Sequence, residues 1–150
     1  MDKIVIQTKD FDLTTEVELI KSAHSRTGAV VSFIGTVRDL ASESLMSLKI
    51  EHYPGMTEKS LTSIAQTARE KWELESITII HRVGTLSIGD QIVLVITSSK
   101  HRQEAFDSCN YIMDYLKTDA PFWKKETSDK EEKGVINRSS DEKQKNRWRS

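Results

Sequence analysis

The first candidate for chemistry is a polar, basic run that directly follows an apolar segment. Residues 91–97, QIVLVIT, predict a buried strand, and Lys100, His101 and Arg102 then lead straight into a predicted helix. A helix N-terminus offers free backbone N–H groups and the positive end of the dipole, so basic residues there are unfavourable for the helix itself. A bound anion would explain them. The alternative reading is that these cations only face solvent.

A second cluster surrounds the end of that helix. Lys117 closes the predicted helix 102–117, and the string PFWKKE at 121–126 follows with Lys124 inside it. A lysine at a helix C-terminus complements the dipole, so Lys117 taken alone indicates nothing more. A rigid Pro-Phe-Trp corner could, however, turn the second lysine back towards the first. Two lysines held close together depress each other's pKa, and a lysine tuned in this way can act as a nucleophile or transfer a proton near neutral pH.

Three further residues are weaker candidates. Arg38 stands where an apolar run passes into a polar, Ser-rich loop at about 39–45, which is a common place for a ligand-binding residue. A solvated loop cation is the alternative. His52 and His81 fall on the apolar sides of alternating segments, so we interpret them as core or interface histidines. The histidines show no metal-ligand spacing.

Hydropathy patterning predicts the elements that must position these groups. The near-continuous apolar run 28–37 is typical of a buried strand, whereas 76–83 alternates and predicts a half-buried one. Pro121 forbids continuation of the last helix, and Phe122 and Trp123 then predict a short edge strand. The remaining predictions are strands at 3–7, 46–53 and 91–99, and helices at 14–24, starting near Thr14 or Thr15, at 57–72 and at 102–117.

Composition limits the class of protein. The chain has 150 residues, a length that predicts one domain, with its body at 1–126. The order of the predicted helices and strands makes this domain mixed α+β. The formal charge of −1 argues against a general nucleic-acid coat. Half-charged residues 127–150 predict a polar tail of the same domain, ordered at a dimer or partner interface, with a short helix from a capping box at Ser139 and Glu142. No segment predicts a membrane span, a signal peptide or a Gly-rich nucleotide loop, so we expect a cytoplasmic protein. The single Cys109 predicts a buried, inert thiol.

Several strings together resemble the large, catalytic subunit of molybdopterin synthase, the MoaE family. They are GAVVSFIGTVRD, IEHYPGMTEKSL, IIHRVGTLSIGDQIVLV, SSKHRQEAFDSCNYIMDYLKTDAPFWKKE and the terminal KNRW. The resemblance extends from about Ile4 to Trp148, and its most specific part is the spacing of the His-Arg pair, the LK and the PFWKKE between His101 and Glu126.

The resemblance implies an α/β hammerhead fold and a defined reaction. In the family, two large subunits form a central homodimer, and a small ubiquitin-like subunit docks at each end to give a heterotetramer. The small subunit carries a C-terminal Gly-Gly thiocarboxylate whose sulfur is transferred to cyclic pyranopterin monophosphate, building the dithiolene of molybdopterin. The implied enzyme is a sulfurtransferase of molybdenum cofactor biosynthesis that uses no metal or cofactor in this step.

The resemblance also implies roles for individual residues. Lys117 matches the family's lysine at the donor terminus, and Lys124 matches its second essential lysine. The substrate-binding residues implied by position are Arg38, His101, Arg102, Lys125, Glu126 and, from across the dimer interface, Arg138.

Three positions depart from the family pattern. The loop after Arg38 lacks its usual glycine and asparagine, Lys71 replaces a common arginine, and Gly134 replaces a common tryptophan. Lysine is only a point donor, so a bidentate phosphate contact would be lost at Lys71.

Two other classes of protein are alternatives to the sulfurtransferase. One is a non-catalytic homologue that binds the ubiquitin-like carrier as a scaffold, against which the retained Lys117 and Lys124 argue. The other is an RNA-binding domain, which would need aromatic side chains interleaved with basic ones on an exposed sheet, a pattern the sequence lacks.

Overall fold

The computed structural model describes residues 2–39, 45–128 and 132–135. These residues form three helices, Leu13–Ala23 (α1), Met56–Lys71 (α2) and Arg102–Asp119 (α3). Their strands are Asp2–Gln7 (β1), Ala29–Thr36 (β2), Leu45–His52 (β3), Ser76–Arg82 (β4), Gly84–Leu86 (β5), Gln91–Ser99 (β6), Phe122–Ser128 (β7) and Glu132–Val135 (β8). The predicted mixed α+β class is confirmed. Most of the loop predicted at 39–45 and the tail helix predicted at Ser139 lie outside the described residues.

The strands form two four-stranded sheets. The first has the order β1-β4-β6-β2 and is mixed, because β1 runs parallel to β4 whereas the other neighbours are antiparallel. The second has the order β5-β3-β7-β8 and is antiparallel throughout. The boundary predicted at 126 falls inside β7, and β8 extends the second sheet beyond it.

The first sheet is covered on both faces. Helices α2 and α3 pack on one face against residues such as Ile79 and Val95, and α1 packs on the other against Ile80 and Leu94. The half-buried prediction for 76–83 is therefore wrong, because Thr78 and Ile80 are buried as well as the alternate residues. Strand β4 is central, and a central strand between two helical layers has no solvent face. No helix among the described residues is long and apolar enough to cross a membrane.

Two predictions about strand position are also wrong. Strand β2 lies at an edge of the first sheet, and its Phe33 is 37% exposed, although the apolar run predicted burial. Strand β7 was predicted as a short edge strand, but it runs for seven residues between β3 and β8. Hydropathy reports the faces of a strand and not its neighbours, so edge and centre are assigned only by the sheet.

A small third cluster joins the two sheets. Val37, Leu48, Ile50 and Leu86 are buried together, with Ile92 of the first sheet and Phe122 of β7 packed against them. At the start of α1, Asp12 is the N-cap and accepts a hydrogen bond from Thr15 N at 3.0 Å, so the predicted start at a threonine is displaced to the aspartate.

Candidate functional site

The basic side chains at the start of α3 lie on well-supported backbone. Lys100, His101 and Arg102, called the cation cluster here, are all exposed. His101 is the N-cap of α3, and its side chain makes no capping hydrogen bond. The buried Ser99 donates from its Oγ to the backbone oxygen of His101. The cluster therefore directs three basic side chains and a helix N-terminus towards solvent, which suits a small anion.

Two neighbouring residues, Glu104 and Gly28, stabilise the start of α3 in different ways. Glu104 lies in its first turn, where a carboxylate complements the helix dipole. One of its oxygens, Oε2, is buried and has no hydrogen-bond partner among the described residues. Gly28 N donates to Ser99 O at 2.9 Å, and a Cβ on Gly28 would lie 2.2 Å from Lys100 O. Only glycine therefore permits the loop before β2 to approach this junction so closely.

The other basic site is at the opposite end of α3. We call Lys117, Lys124 and the turn between them, 118–123, the lysine corner. Helix α3 ends at Asp119, two residues before Pro121, because the residue preceding a proline is driven out of helical geometry. Phe122 N then donates to Ala120 O at 2.9 Å. The chain therefore turns at the Pro-Phe-Trp string, between the end of α3 and the start of β7.

A buried threonine from α2 clamps this corner. Thr57 has no exposed surface, and its hydroxyl donates to Pro121 O at 2.9 Å and accepts from Tyr53 N at 3.0 Å. The sequence interpretation missed Thr57. Its only local signal was a threonine in the first turn of a predicted helix, which ordinarily indicates capping rather than a contact 64 residues away.

Strand alternation separates the two adjacent lysines of β7. Lys124 lies opposite the buried Ile50, so it shares the inner face of the second sheet and is itself half-buried. Lys125 lies opposite the exposed Lys49 on the outer face. Glu126 returns to the inner face, opposite Leu48.

The inner face at Lys124 abuts a buried histidine. His81 is 2% exposed and stacks on the Phe122 ring, with centroids 3.7 Å apart and planes 16° from parallel. Burial is the main reason that the pKa of His81 is lowered to about 3; the hydrogen bond to Arg82 O opposes this shift, and the charges of Lys124 and His52 contribute to it. His81 is therefore uncharged at neutral pH, and its interpretation as a core histidine is confirmed.

Arg38 is exposed, two residues beyond the end of β2. Its neighbour Val37 is buried, donates from N to Asp90 O at 2.9 Å and accepts from Gly89 N at 2.7 Å. These bonds fix where the chain leaves the first sheet. Arg138 lies outside the described residues. Lys71 is described, and its ammonium lies 5.8 Å from the centroid of the Tyr111 ring, a cation–π contact that holds it against the helix pair.

Strand pairing fixes the distance between the ends of the first sheet. Ala29 pairs with Ser99 beside the cation cluster, whereas Thr36 pairs with Gln91 at the other end, next to Arg38. Seven steps of about 3.3 Å place those ends roughly 23 Å apart.

Helix α3 spans the same distance in the return direction. Thr97 Oγ1 donates to Ala105 O near the start of α3. From Arg102 to Lys117, where the lysine corner begins, the helix rises about 22 Å at 1.5 Å per residue. Val37 and Phe122 then meet in one cluster. The structure therefore brings Arg38, Lys117 and Lys124 to one end and leaves His101 and Arg102 at the other.

Cys109 is buried on the inner face of α3, and burial raises the pKa of its thiol to about 12. It is a protonated thiol at neutral pH, without the thiolate that sulfur chemistry needs. Among the described residues no group of three His, Cys, Asp or Glu is placed to hold a metal ion.

Comparison with known proteins identifies the family. The family model described as "MoaE protein" matches residues 6–119. A relative from Vibrio cholerae, named molybdopterin synthase catalytic subunit, is 47% identical over 147 residues that cover 97% of each chain.

Solved structures agree with this assignment. The molybdopterin biosynthesis MoaE protein of Burkholderia ambifaria is 49% identical, with a TM-score of 0.86 over 99% of this chain and 98% of that one. A chain of the Helicobacter pylori complex of subunits 1 and 2 of molybdopterin-converting factor is 20% identical, with a TM-score of 0.73 over 92% of each chain, and shares the fold. Because the family model matches most of the chain and the relatives align with it over nearly its full length, the chain belongs to the MoaE family.

Proposed function

We propose that this chain is the catalytic subunit of a molybdopterin synthase, a sulfurtransferase. It takes sulfur from the C-terminal thiocarboxylate of a small ubiquitin-like subunit and passes it to cyclic pyranopterin monophosphate, forming the dithiolene of molybdopterin. The name of the Vibrio cholerae relative, which is similar to this chain over nearly its full length, supports this function. The structural observation that carries it is the lysine corner, where a clamped turn holds two lysines at the end of one helix.

The lysine corner suits chemistry on an anionic acyl donor. The C-terminal end of α3 is the negative end of its dipole and would repel a thiocarboxylate. Lys117 in the last turn and Lys124 on the inner face of β7 supply the opposing charge. Once the thiocarboxylate sulfur has bonded to the pterin, water attacks the acyl carbon, the bond between that carbon and the sulfur breaks, and the small subunit leaves as a carboxylate. Lys117 stabilises the negative charge that develops on the departing sulfur or moves a proton to it, while Lys124 holds the adjacent charge.

The sulfur has to arrive from a partner. Cys109 is the single cysteine, and its burial and raised pKa make it unsuitable as a sulfur carrier. The Helicobacter pylori structure of similar fold is a complex of two subunits, which supports a small subunit docking on this chain. One free, reduced cysteine is also compatible with the cytoplasm as the site of the reaction.

The separation of the two basic regions supports a homodimeric site. A substrate phosphate bound by His101 and Arg102 of one protomer lies more than 20 Å from the lysine corner of that protomer, as judged from the rise per residue of β2 and α3. A two-fold dimer can place the cation cluster of one protomer beside Arg38 and the lysine corner of the other. The finished assembly is then a heterotetramer with one small subunit at each end.

The decisive experiment is reconstitution. The purified chain is mixed with thiocarboxylated small subunit and cyclic pyranopterin monophosphate, and molybdopterin is measured. Product at a stoichiometry of two sulfurs per pterin is expected. A stable complex that makes no product would instead indicate the scaffold function.

Hybrid dimers test the shared site. At a substrate concentration well below the dissociation constant of the Arg102→Ala variant, Lys117→Ala and Arg102→Ala protomers are each nearly inactive alone, but a hybrid dimer contains one site with both wild-type residues. An equal mixture that exchanges subunits should regain about a quarter of wild-type activity, since half the dimers are hybrids with one intact site each. A mixture that stays as inactive as its parents would place both residues in the same protomer's site.

A further inference from the structure

The lysine corner is supported from inside by the buried side chain of His81, which is polar where most of the surrounding core is apolar. His81 is almost fully buried between the first sheet and β7, on the same face of β4 as Ile77 and Ile79. Its ring lies flat on Phe122, which begins β7 directly after Pro121. The contact therefore falls within the short chain segment that joins Lys117 to Lys124, two residues before Lys124.

We propose that His81 is a positioning residue for the sulfur-transfer reaction, which acts through Phe122 to set where Lys124 lies relative to Lys117. The positioning role in sulfur transfer rests on the proposed function, whereas the support that His81 gives to Phe122 rests on geometry alone. Lys124 is two residues along β7 from Phe122, so both side chains project from the same face of the strand. A shift of the Phe122 ring carries Lys124 with it.

The hydrogen bonding of His81 makes this support rigid. Its Nδ1 lies 2.8 Å from Arg82 O, and because a carbonyl only accepts, Nδ1 carries the proton of the neutral ring. The Arg82 guanidinium donates to Thr8 O at 3.1 and 3.2 Å and to Gln91 O at 3.0 Å, which anchors the end of β4. The imidazole is thereby held at both its nitrogen and its face.

A neutral ring is also the right partner for a corner that is rich in cations. The charged or titratable groups acting on His81 are Lys124 from β7 and His52 from β3, whereas Arg82 of its own strand acts through its backbone carbonyl. A protonated imidazole would repel Lys124 at short range, whereas the neutral ring stacks without charge. Phenylalanine would keep the stack but lose the Nδ1 hydrogen bond, and alanine would lose both.

The experiment compares His81→Ala with His81→Phe and with Ile80→Ala. Ile80 is the neighbouring residue of β4, 1% exposed, and packs on the opposite face of the sheet against α1. It serves as the matched control for a cavity in the same strand that does not reach the lysine corner.

The variants are read out by single-turnover sulfur transfer and by small-subunit affinity. His81→Ala should lower the rate constant by about tenfold to a hundredfold with unchanged affinity, since misplacement of about 1 Å can cost that much. His81→Phe should recover most of the rate, and Ile80→Ala should lose stability while its rate stays within about twofold of wild type. Equal rates for His81→Ala and Ile80→Ala at equal folded fraction, or no recovery in His81→Phe, would overturn the proposal.

Amide hydrogen exchange gives a readout that does not depend on activity. In His81→Ala the amides of Phe122, Trp123 and Lys124 should exchange faster, whereas Ile80→Ala should leave them protected. Unchanged exchange at 122–124 in His81→Ala would contradict the positioning role. A wild-type chain that makes no molybdopterin would contradict the proposed function instead, so the two failures are distinguishable.

Discussion

The two ends of α3 carry similar basic residues in opposite settings. At its start, Lys100, His101 and Arg102 project into solvent from a backbone fixed by Ser99. At its end, the turn beside Lys117 is clamped by the buried Thr57 and stacked on His81. An exposed cluster can bind and release an anion with little reorganisation. A clamped corner can hold a reacting group in place, which is what transition-state stabilisation requires. Under the proposed function, the first region binds the substrate anion and the second carries out the chemistry.

The largest expected effect is at Lys117. Lys117→Ala should cost about 2.7–4 kcal/mol of transition-state stabilisation, a hundredfold to a thousandfold in rate, with small-subunit docking intact. Lys117→Arg should also fail, because arginine stays protonated and differs in shape. Size-exclusion chromatography reports docking, and single-turnover product formation reports rate. Near-normal turnover in Lys117→Ala would remove chemistry from the lysine corner, and activity restored by arginine would reduce its role to charge.

Arg102 should show the opposite profile. Arg102→Ala is expected to weaken pyranopterin binding by about 1.5–3 kcal/mol through loss of a charged hydrogen bond. Its thermal stability should be unchanged or higher, because a cation leaves a helix N-terminus. Calorimetric titration of substrate and a thermal melt measure the two quantities. If stability drops while affinity holds, Arg102 is structural and the division between the two regions fails.

Thr57 tests whether the clamp matters. Thr57→Val keeps the shape but removes the hydroxyl that joins Tyr53 N to Pro121 O, so unfolding free energy should fall by about 1–3 kcal/mol. Thr62→Val is the matched control, since the exposed Thr62 hydroxyl bonds only Glu58 O within the same helix. Chemical denaturation of both variants gives the comparison. Equal losses in the two would show that the clamp contributes nothing specific.

The smallest effect, taken per pH unit, is a pH dependence that originates at His81. The unfolded histidine protonates near 6.5, whereas the folded one does so only near pH 3. Between these values the unfolded chain binds more protons, so this residue lowers stability as pH falls and has no effect above 6.5. The stability of wild type relative to His81→Phe should therefore decline by at most about 1.4 kcal/mol per pH unit in that window. Denaturant unfolding at several acidic pH values measures it, and parallel curves for the two proteins would exclude a buried neutral histidine.

Sequence alone determined the elements and much of the candidate site. Helical periodicity located α2 and α3 within two residues, and the short, β-branched apolar run at 91–99 located β6. Pro121 marked the end of α3, and the PFWKKE string marked the lysine corner. The resemblance of the sequence strings assigned the chain to the MoaE family, and the comparisons confirmed that family.

What only the tertiary structure decided is which of these residues meet. Local patterns carry no information about strand neighbours. They predict a buried β2 and an edge strand at β7, whereas in the sheets β2 lies at an edge and β7 lies between β3 and β8. Nothing in the sequence pairs Thr57 with Pro121 or stacks His81 on Phe122, because those contacts join residues 64 and 41 positions apart. The antiparallel run of β2, β6 and α3 likewise brings Arg38, at the end of β2, to the end of the first sheet where α3 finishes. Chain direction through the sheet, and not residue type, sets that proximity.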